Sequence, residues 1–471
     1  MAKVISQETF DEVVKENIVD FTMTPNEAKE ETIKQFEAQG INLANIIKDL
    51  TINPETGKPV LNEILYEIKT YIGQNFNDTK KLLENLAVLD IECQKSISHR
   101  VLAGKNGAHE ALVTLLEQEL AHQQSTEGSK PNLPVLDACL KAANSFTNKQ
   151  PDVFDAEALA VVLKLFAIMD ENIIILTLQW LQKASVMHEI NRQNIVNAGI
   201  VKMLKPYITK QSSLKLIREA LAVLRYLVLD DDIRVEFGCA HEHARRIASE
   251  YIVDLTKLLS EFNDPNVLAD LLLTIGTLAV RQEFCTTIED AGGLKMVFEI
   301  MFINLNSVRV NREALKLLRA MAGNDTVKAH IVQQGAAPVI KQVLETHMAN
   351  ENVASAALAC IATLTLRIKD NSAAFFATGI AESIVETIRK HPNNKIIQRN
   401  GAWVIRNMVS RSRDQCENWL SYGVEDLLNT ALSSHPSIQQ DVKAALRDLG
   451  CKVELREEFT GVAEKKISGG M

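Results

Sequence analysis

The chain contains few of the residues that interrupt helices or fill a large mixed core. Its 471 residues include eleven prolines and only 5% aromatic residues, so the 46% of hydrophobic residues are mostly aliphatic. Such a composition suits short helices packed through Leu, Ile, Val and Ala. There is no uncharged apolar run of 18 residues, and the first residues, MAKVISQETF, contain no apolar signal core. We therefore expect a soluble protein without a membrane partner.

Cysteine pairs and a basic charge balance are also missing. The seven cysteines are scattered, odd in number and never in a Cys-x-x-Cys pair, which indicates reduced and mostly buried thiols. This pattern predicts a protein of the cytoplasm, with the nucleus as a second compartment. The 51 basic and 60 acidic residues leave a net charge of −9, which disfavours nucleic acid as a partner.

The sequence has no motif of an enzyme or of a metal site. In each of its three His-Glu pairs the residue four positions after the histidine is Val or Arg, so the zinc-protease spacing is absent. There is no Gly-x-Ser-x-Gly, no glycine-rich phosphate loop and no dinucleotide fingerprint. We therefore predict no catalytic residue, no bound metal and no cofactor.

What the chain does have is a repeat of about 44 residues. A glycine followed by apolar residues at +4/+5 and +8/+9 recurs, and each such glycine is expected to form a left-handed or tight junction between two helices. Two further copies, near Phe154 and Glu250, keep the apolar spacing without the glycine. The repeated glycines are Gly107, Gly199, Gly292, Gly335, Gly379 and Gly423.

A second signature follows in the next helix of several repeats. It reads apolar-Arg-x-apolar, as in Leu318-Arg319-Ala320-Met321 and Ile405-Arg406-Asn407-Met408. The spacing of the glycines and the spacing of this second signature agree, so coincidence does not explain the pattern. The pattern predicts an array of helical repeats.

The N-terminal region is helical in pattern but only weakly repetitive. We predict a second helix that begins at Thr24-Pro25 and ends near Gln39-Gly40, then a short helix that opens at 40–43 and a turn over 53–59. The first helix is indicated by an apolar stripe of Phe10, Val13, Val14, Asn17, Ile18 and Phe21. The predicted organisation is a helical cap over 1–76, a repeat array over 77–450 and a partly disordered tail over 451–471.

The repeat resembles a known family. Gly335-Ala336-Ala337-Pro338-Val339-Ile340, with an Ala-rich helix that ends like Ile405-Arg406-Asn407-Met408, is similar to the armadillo repeat. The match covers about 90–450, and the stretches at 7–21 and 35–48 resemble the N-terminal region of one branch of that family. The resemblance implies an all-α, armadillo-type α-solenoid: a right-handed superhelix of about eight helical repeats with a helical N-terminal cap.

The resemblance also implies a function. Armadillo arrays of this kind act as non-enzymatic scaffolds or adaptors that bind other proteins on the concave surface of the third helix of each repeat. The alternative is a peptide carrier like the nuclear-transport receptors. In such carriers an asparagine on each third helix bonds the peptide backbone, and a tryptophan one turn earlier forms a pocket.

Only one repeat of this chain matches that pair, through Asn407 and Trp403. A continuous ladder of asparagines is therefore not expected. For Trp403 the alternative is packing between repeats, and for Asn407 it is a capping or inter-helix hydrogen bond. The equivalent positions elsewhere hold Tyr226, Thr277, Ala320, Thr363 and Asp448.

Cations lie one or two turns before the Asn407-equivalent position in three repeats. They predict a basic row on the concave surface that suits an acidic or phosphorylated segment, and the alternative is a solvated helix face. The predicted protein-binding residues are Arg399, Trp403, Asn407, Arg312, Lys316, Arg218 and Tyr226. The arginines at 225, 319, 406 and 447 point about 100° away on the helix and are predicted to contact carboxylates of neighbouring repeats.

Cys239-Ala240-His241-Glu242-His243-Ala244 lies in the longest repeat, where an insertion loop or an extended helix start is expected. The His-x-His resembles the motif that a protein-histidine methyltransferase modifies, so His241 and His243 are candidate methylhistidines. The alternative is an unmodified surface pair. Two histidines at this spacing diverge on a helix, which makes them a poor metal site. We expect the protein to be a monomer.

Overall fold

The computed structural model describes residues 4–44, 46–74, 78–125 and 131–453. Within these ranges the regular structure is helical, and an isolated β bridge joins Ile52 and Pro59. The chain forms two compact units, Met1–Ile247 and Ala248–Met471. The predicted all-α architecture is confirmed. Every helix in the described residues is too short or too polar to cross a lipid bilayer.

The helices of the first unit are α1 (Gln7–Val19), α2 (Pro25–Ala38), α3 (Val60–Gln74), α4 (Thr79–Lys95), α5 (Ile97–Lys105), α6 (Ala108–Ser125), α7 (Leu133–Thr147), α8 (Ala156–Leu165), α9 (Glu171–Ser185), α10 (Glu189–Asn197), α11 (Ile200–Met203) and α12 (Leu214–Tyr226). The boundary residues 247 and 248 lie in α13 (Ala240–Leu258).

The helices of the second unit are α14 (Pro265–Leu278), α15 (Gln282–Asp290), α16 (Gly293–Ile303), α17 (Val308–Met321), α18 (Asp325–Gln333), α19 (Ala336–Thr346), α20 (Glu351–Thr365), α21 (Lys369–Ala377), α22 (Ile380–Lys390), α23 (Lys395–Val409), α24 (Cys416–Ser421), α25 (Val424–Ser434) and α26 (Gln439–Leu449). Single 3₁₀ turns occur at Pro151–Val153, Lys205–Tyr207, Arg413–Gln415 and Pro436–Ile438.

The N-terminal helices form largely as predicted. Thr24 caps α2 through a capping box with Glu27, and Pro25 occupies the first turn, where its missing N–H breaks no bond. Phe10, Val14, Asn17 and Ile18 of the stripe on α1 are buried and Val13 is half-buried, whereas Phe21 lies beyond the helix end and is 66% exposed. The turn at 53–59 is closed by a bond from the Asn53 N–H to the Lys58 carbonyl.

The short helix predicted to open at 40–43 does not form in the described residues before α3. Gly40 has a φ of +69° and ends α2, and the chain continues without helix while Leu43 is buried in the N-terminal core. Burial of one leucine there does not require a helical backbone. The cap boundary at 76 stays a prediction; α3, which precedes it, packs against α4 and α6.

The six repeated glycines form the predicted junctions. Their φ angles lie between +74° and +97°, in the left-handed region that residues with a Cβ avoid, and a helix begins at the residue after each. The two copies without glycine behave differently. Near Phe154 a 3₁₀ turn precedes α8, and Glu250 lies inside the continuous helix α13.

The third helices of the repeats are the best-packed layer of each unit. In the first unit α4, α7, α9 and α12 pack in sequence, and in the second α14, α17, α20, α23 and α26 do so. Each buries one apolar face, which includes Leu318 on α17 and Ile405 on α23. The opposite faces of neighbouring third helices therefore line shallow grooves. After α26, residues 451–453 are not helical, and the rest of the predicted tail lies outside the described residues.

Candidate protein-binding surface

The exposed faces of α17, α20 and α23 enclose a groove of about 330 Å³. Its lining contains four cations and no carboxylate. From α17 come Arg312, Lys316 and Arg319, from α20 Asn352, Ser355, Ala356 and Ala359, and from α23 Ile396, Arg399, Asn400 and Trp403. Four cations therefore line one groove of a protein whose net charge is −9. We call this feature the basic groove.

Arg399 and Trp403 act as one assembly on α23. The guanidinium carbon of Arg399 lies 4.8 Å from the centre of the Trp403 ring, because residues four apart face the same side of a helix. Trp403 is half-buried, whereas Trp180 and Trp419 are enclosed in the core. The Arg399 Nε is buried and has no hydrogen-bond partner, and no carboxylate of the described chain pairs with this side chain. The aromatic face thus orients a cation toward the groove.

Arg312 and Lys316 share one buried counter-charge. Arg312 contacts the Glu313 carboxylate at 2.6 Å, and the Lys316 Nζ lies 3.4 Å from its other oxygen, without hydrogen-bond geometry. Glu313 is 1% exposed, so it orients the two cations from below but is not itself presented to solvent. Lys316 is exposed and Arg312 is half-buried.

Arg319 corrects one expectation. Its side chain lines the basic groove and has no carboxylate partner in the described chain, whereas a contact with a neighbouring repeat was predicted. The reason is geometric, since Arg319 follows Lys316 by three residues and shares its face. For Arg406 the prediction is confirmed, because its Nε lies 3.4 Å from the Asp448 carboxylate on α26. Arg447 contacts that same carboxylate from within its own helix.

The Asn407 amide already makes a hydrogen bond within the repeat array. Its Nδ2 donates to the Ala362 carbonyl of α20 at 2.8 Å, which is the inter-helix bond considered as the alternative. Asn400, which the sequence did not single out, makes the equivalent bond to Ser355 at 3.2 Å. Both amides connect α23 to the third helix of the preceding repeat. The signal that could have found Asn400 is its spacing of seven residues from Asn407, two turns along the same helix.

Arg218 and Tyr226 lie in the first unit, apart from the residues of the basic groove. Tyr226 ends α12 and lines a separate groove of about 460 Å³ with Lys149, Lys183 and Glu219. There Glu219 accepts hydrogen bonds from Gln179 and Gln182, at 2.9 and 2.7 Å. This groove contains a carboxylate. A single basic row that includes both Arg218 and Tyr226 and the residues of the basic groove therefore stays a prediction.

The two candidate methylhistidines have different surroundings. His241 is exposed in the first turn of α13. His243 is only 6% exposed, and its Nδ1 lies 3.0 Å from the Leu227 carbonyl. A helix start, one of the two structures expected here, therefore separates the pair into one accessible and one enclosed ring.

No described cluster of three or more His, Cys, Asp or Glu side chains could hold a metal ion. Four of the seven cysteines are buried, as predicted for most of them, and none is paired. Burial raises the pKa of Cys93 and of Cys360 to about 12, so these thiols stay protonated at neutral pH.

Short helices joined by left-handed glycines, with third helices that line grooves, define an armadillo repeat protein. A solved structure of an engineered protein from the Northeast Structural Genomics Consortium shares this fold, with a TM-score of 0.55 and 18% identity over 84% of this chain and 100% of its own. The family model ARMC6 matches residues 61–468, and the model for the armadillo repeat-containing protein 6 N-terminal domain matches residues 2–62. The chain belongs to the armadillo repeat-containing protein 6 family.

Full-length relatives agree with this assignment. The armadillo repeat-containing protein 6 homolog of Drosophila melanogaster is 68% identical over 470 residues, which cover 99% of this chain and 100% of the fly protein. Armadillo repeat-containing protein 6 of Homo sapiens is 32% identical over 479 residues, 98% and 93% of the two chains. The armadillo fold is commonly a protein-interaction scaffold and is typically non-catalytic.

Proposed function

We propose that the protein is a non-enzymatic scaffold or adaptor that binds an acidic or phosphorylated segment of another protein in the basic groove. The observation that carries this proposal is the lining of that groove, with four cations and no carboxylate. A ligand with carboxylates or phosphoryl groups would neutralise these cations, and arginine offers such groups paired donors in a fixed geometry. We expect the protein to act as a monomer in the cytoplasm, with the nucleus as a second compartment.

The stacking of Arg399 on Trp403 explains why the basic groove suits the binding of an anionic ligand and is more than a solvated helix face. A long side chain loses rotamer freedom when it binds a ligand, and that loss weakens binding. Because Arg399 already lies against Trp403, and Arg312 against Glu313, part of that loss occurs on folding. The groove is therefore partly preorganised for an anion.

The peptide-carrier alternative has less support. It requires asparagine amides that are free to bond an extended peptide, and the Asn407 amide already donates to Ala362. The equivalent positions in neighbouring repeats are Ala320 and Thr363, and the Thr363 hydroxyl donates within its own helix to Ala359. The proposed ligand is accordingly held by its charged side chains more than by its backbone.

The double charge reversal Arg312→Glu/Arg399→Glu tests the groove. We expect the purified full-length protein to bind fluorescent peptides rich in glutamate or phosphoserine, and the double variant to bind them at least about tenfold more weakly. The physical reason is that two attractive contacts become repulsive. Fluorescence anisotropy at low and at physiological salt measures the change.

The matched control is Lys295→Glu/Lys390→Glu, which changes the net charge equally on two exposed lysines outside the groove. We expect it to leave the affinity within about twofold of the wild type, since distant surface charges are screened. Equal binding of the groove variant and the wild type, or preferential binding of a lysine-rich peptide, would contradict the proposal.

A second proposal concerns modification. We infer that a protein-histidine methyltransferase would modify His241 rather than His243, because only the His241 ring is accessible in the folded chain. Peptide mass spectrometry of the native protein should show an addition of about 14 daltons on His241, absent from the His241→Gln variant. An unmodified peptide, or an addition on His243 alone, would refute it.

A further inference from the structure

The longest repeat carries a loop, residues 227–239 between α12 and α13, which we call the insertion loop. It is held by charged groups to α10 and to Met187, two residues before that helix. The Asp231 carboxylate accepts the Met187 N–H at 3.0 Å and the Arg192 guanidinium at 2.6 Å. The Asp232 carboxylate accepts the Glu189 N–H at 2.9 Å. A loop held in this way does not behave as a free linker.

Two arginines complete this attachment. Arg192 is 1% exposed and lies 2.9 Å from the equally buried Glu189 carboxylate, which in turn accepts the Cys239 N–H at 2.6 Å. Arg234 binds Asp232 at 2.8 Å, Asp152 at 2.6 Å and the Met187 carbonyl at 2.8 Å.

These bonds also determine the local charge and backbone. The hydrogen bond from Arg234 holds the pKa of the Asp232 carboxyl far below its ordinary value, so the pair is ionised at neutral pH. Met187 has a φ of +52°, an unfavourable backbone for a residue with a side chain, and both its N–H and its carbonyl are bonded to the insertion loop. Gly238 leaves room for the Glu189 carboxyl, which lies 3.3 Å from where a Cβ would stand. Both ends of the insertion loop are therefore attached.

The side chains that this firm loop presents are apolar. Ile233 is 91% exposed and Phe237 is 84% exposed, and Met187 and Ile190 beside the attachment are 50% and 59% exposed. The loop therefore gains almost no hydrophobic stabilisation from Ile233 and Phe237. Exposed apolar groups gathered on an ordered element mark a protein-interaction surface.

The charges that remain beside these residues are negative. Asp230 and Glu236 are exposed and have no partner in the described chain, while the Arg234 guanidinium is already shared between Asp152 and Asp232. The loop holds four carboxylates and one guanidinium. A partner surface that covers it must therefore offer positive groups around an apolar site.

We propose that the insertion loop is a second docking element, which inserts Phe237 and Ile233 into an apolar pocket rimmed by Lys or Arg on a folded partner protein. Large apolar side chains on a loop whose backbone is ordered before binding give affinity at a smaller loss of entropy than on a free linker. This surface is separate from the basic groove in composition and charge. The proposal for the insertion loop does not depend on the proposal for the basic groove.

The experiment places the photo-reactive residue p-benzoyl-phenylalanine at position 237 of the full-length protein in cells. We expect a light-dependent adduct whose cross-linked residue lies in an apolar pocket flanked by Lys or Arg in the partner. The partner, purified, should bind the wild-type protein directly, and Phe237→Asp or Ile233→Asp should weaken binding at least about tenfold. Added salt should weaken binding further.

The matched control uses Phe302, an exposed phenylalanine of the second unit, which is 69% exposed. The same probe at 302 should not give that adduct, and Phe302→Asp should leave the affinity unchanged. Thermal unfolding checks that each variant is folded. The proposal is overturned if the probe at position 237 gives no adduct, or if it cross-links only to further copies of this chain. It is also overturned if the loop binds lipid vesicles instead of a protein, or if Phe237→Asp does not weaken the binding of the cross-linked partner.

Discussion

Leu318→Asp is expected to lower the free energy of unfolding of the Ala248–Met471 unit by about 4–5 kcal/mol. Leu318 is 0% exposed on the apolar face of α17, between α14 and α20. The substitution removes the apolar contacts of the leucine side chain and buries a carboxylate without a cationic partner. In a repeat array each helix depends on its immediate neighbours, so the loss should be local at first.

Hydrogen exchange followed by mass spectrometry measures this effect. The amides of α14, α17 and α20 should lose protection first, while those of α4 and α7 in the first unit should keep theirs. The control is Val308→Asp at the half-exposed start of the same helix, where a carboxylate is favourable, and it should change stability by less than about 0.5 kcal/mol. Uniform loss of protection over both units would argue against nearest-neighbour stabilisation.

Arg192→Met should lower the free energy of unfolding of the Met1–Ile247 unit by about 3–5 kcal/mol, because it leaves a buried carboxylate without its counter-charge. The Glu189 carboxylate beside it is 1% exposed, and Asp231 loses its contact at 2.6 Å. The Ser185 carbonyl also loses the hydrogen bond that it accepts from the Arg192 guanidinium. Urea unfolding measures the loss, and the amides of the insertion loop should exchange faster.

A second substitution tests the cause. Glu189→Gln in the Arg192→Met background removes the buried charge and should recover part of the stability, whereas a purely steric defect would be unaffected or worsened. The control is Lys164→Gln, which breaks a solvent-exposed pair with Glu117 and should change stability by less than about 1 kcal/mol. Equal losses for Arg192→Met and the control would show that the network does not stabilise the unit.

Local features of the fold could be predicted because their physical causes lie within a few residues. The left-handed glycines, the Thr24 capping box and the apolar spacing of the third helices each depend on neighbours in sequence. The prediction of a short helix opening at 40–43 was wrong because Gly40 and a single buried leucine are compatible with an irregular backbone as well. The prediction that Phe21 belongs to the apolar stripe of α1 was wrong because the helix ends at Val19.

The candidate site could be predicted only in outline. That Arg399, Trp403 and the cations of α17 share one groove followed from helix periodicity, although the stacking of Arg399 on Trp403 did not. The role of Arg319 was misjudged, since a groove between neighbouring helices is lined by residues from a wider arc of each helix than a single row. The insertion loop was expected from the repeat spacing, but its attachment and its exposed apolar residues were not.

The sequence by itself determined the all-α repeat architecture, its period, its glycine junctions and the position of its cations. Tertiary structure alone decided which polar groups are already occupied. Asn407 donates to a carbonyl 45 residues earlier, and Arg192 binds a carboxylate 39 residues later. Such contacts form between repeats, where the acceptor is often a backbone carbonyl that every residue carries. A backbone acceptor has no signature in the sequence, so only packing shows which side chains remain free for a partner.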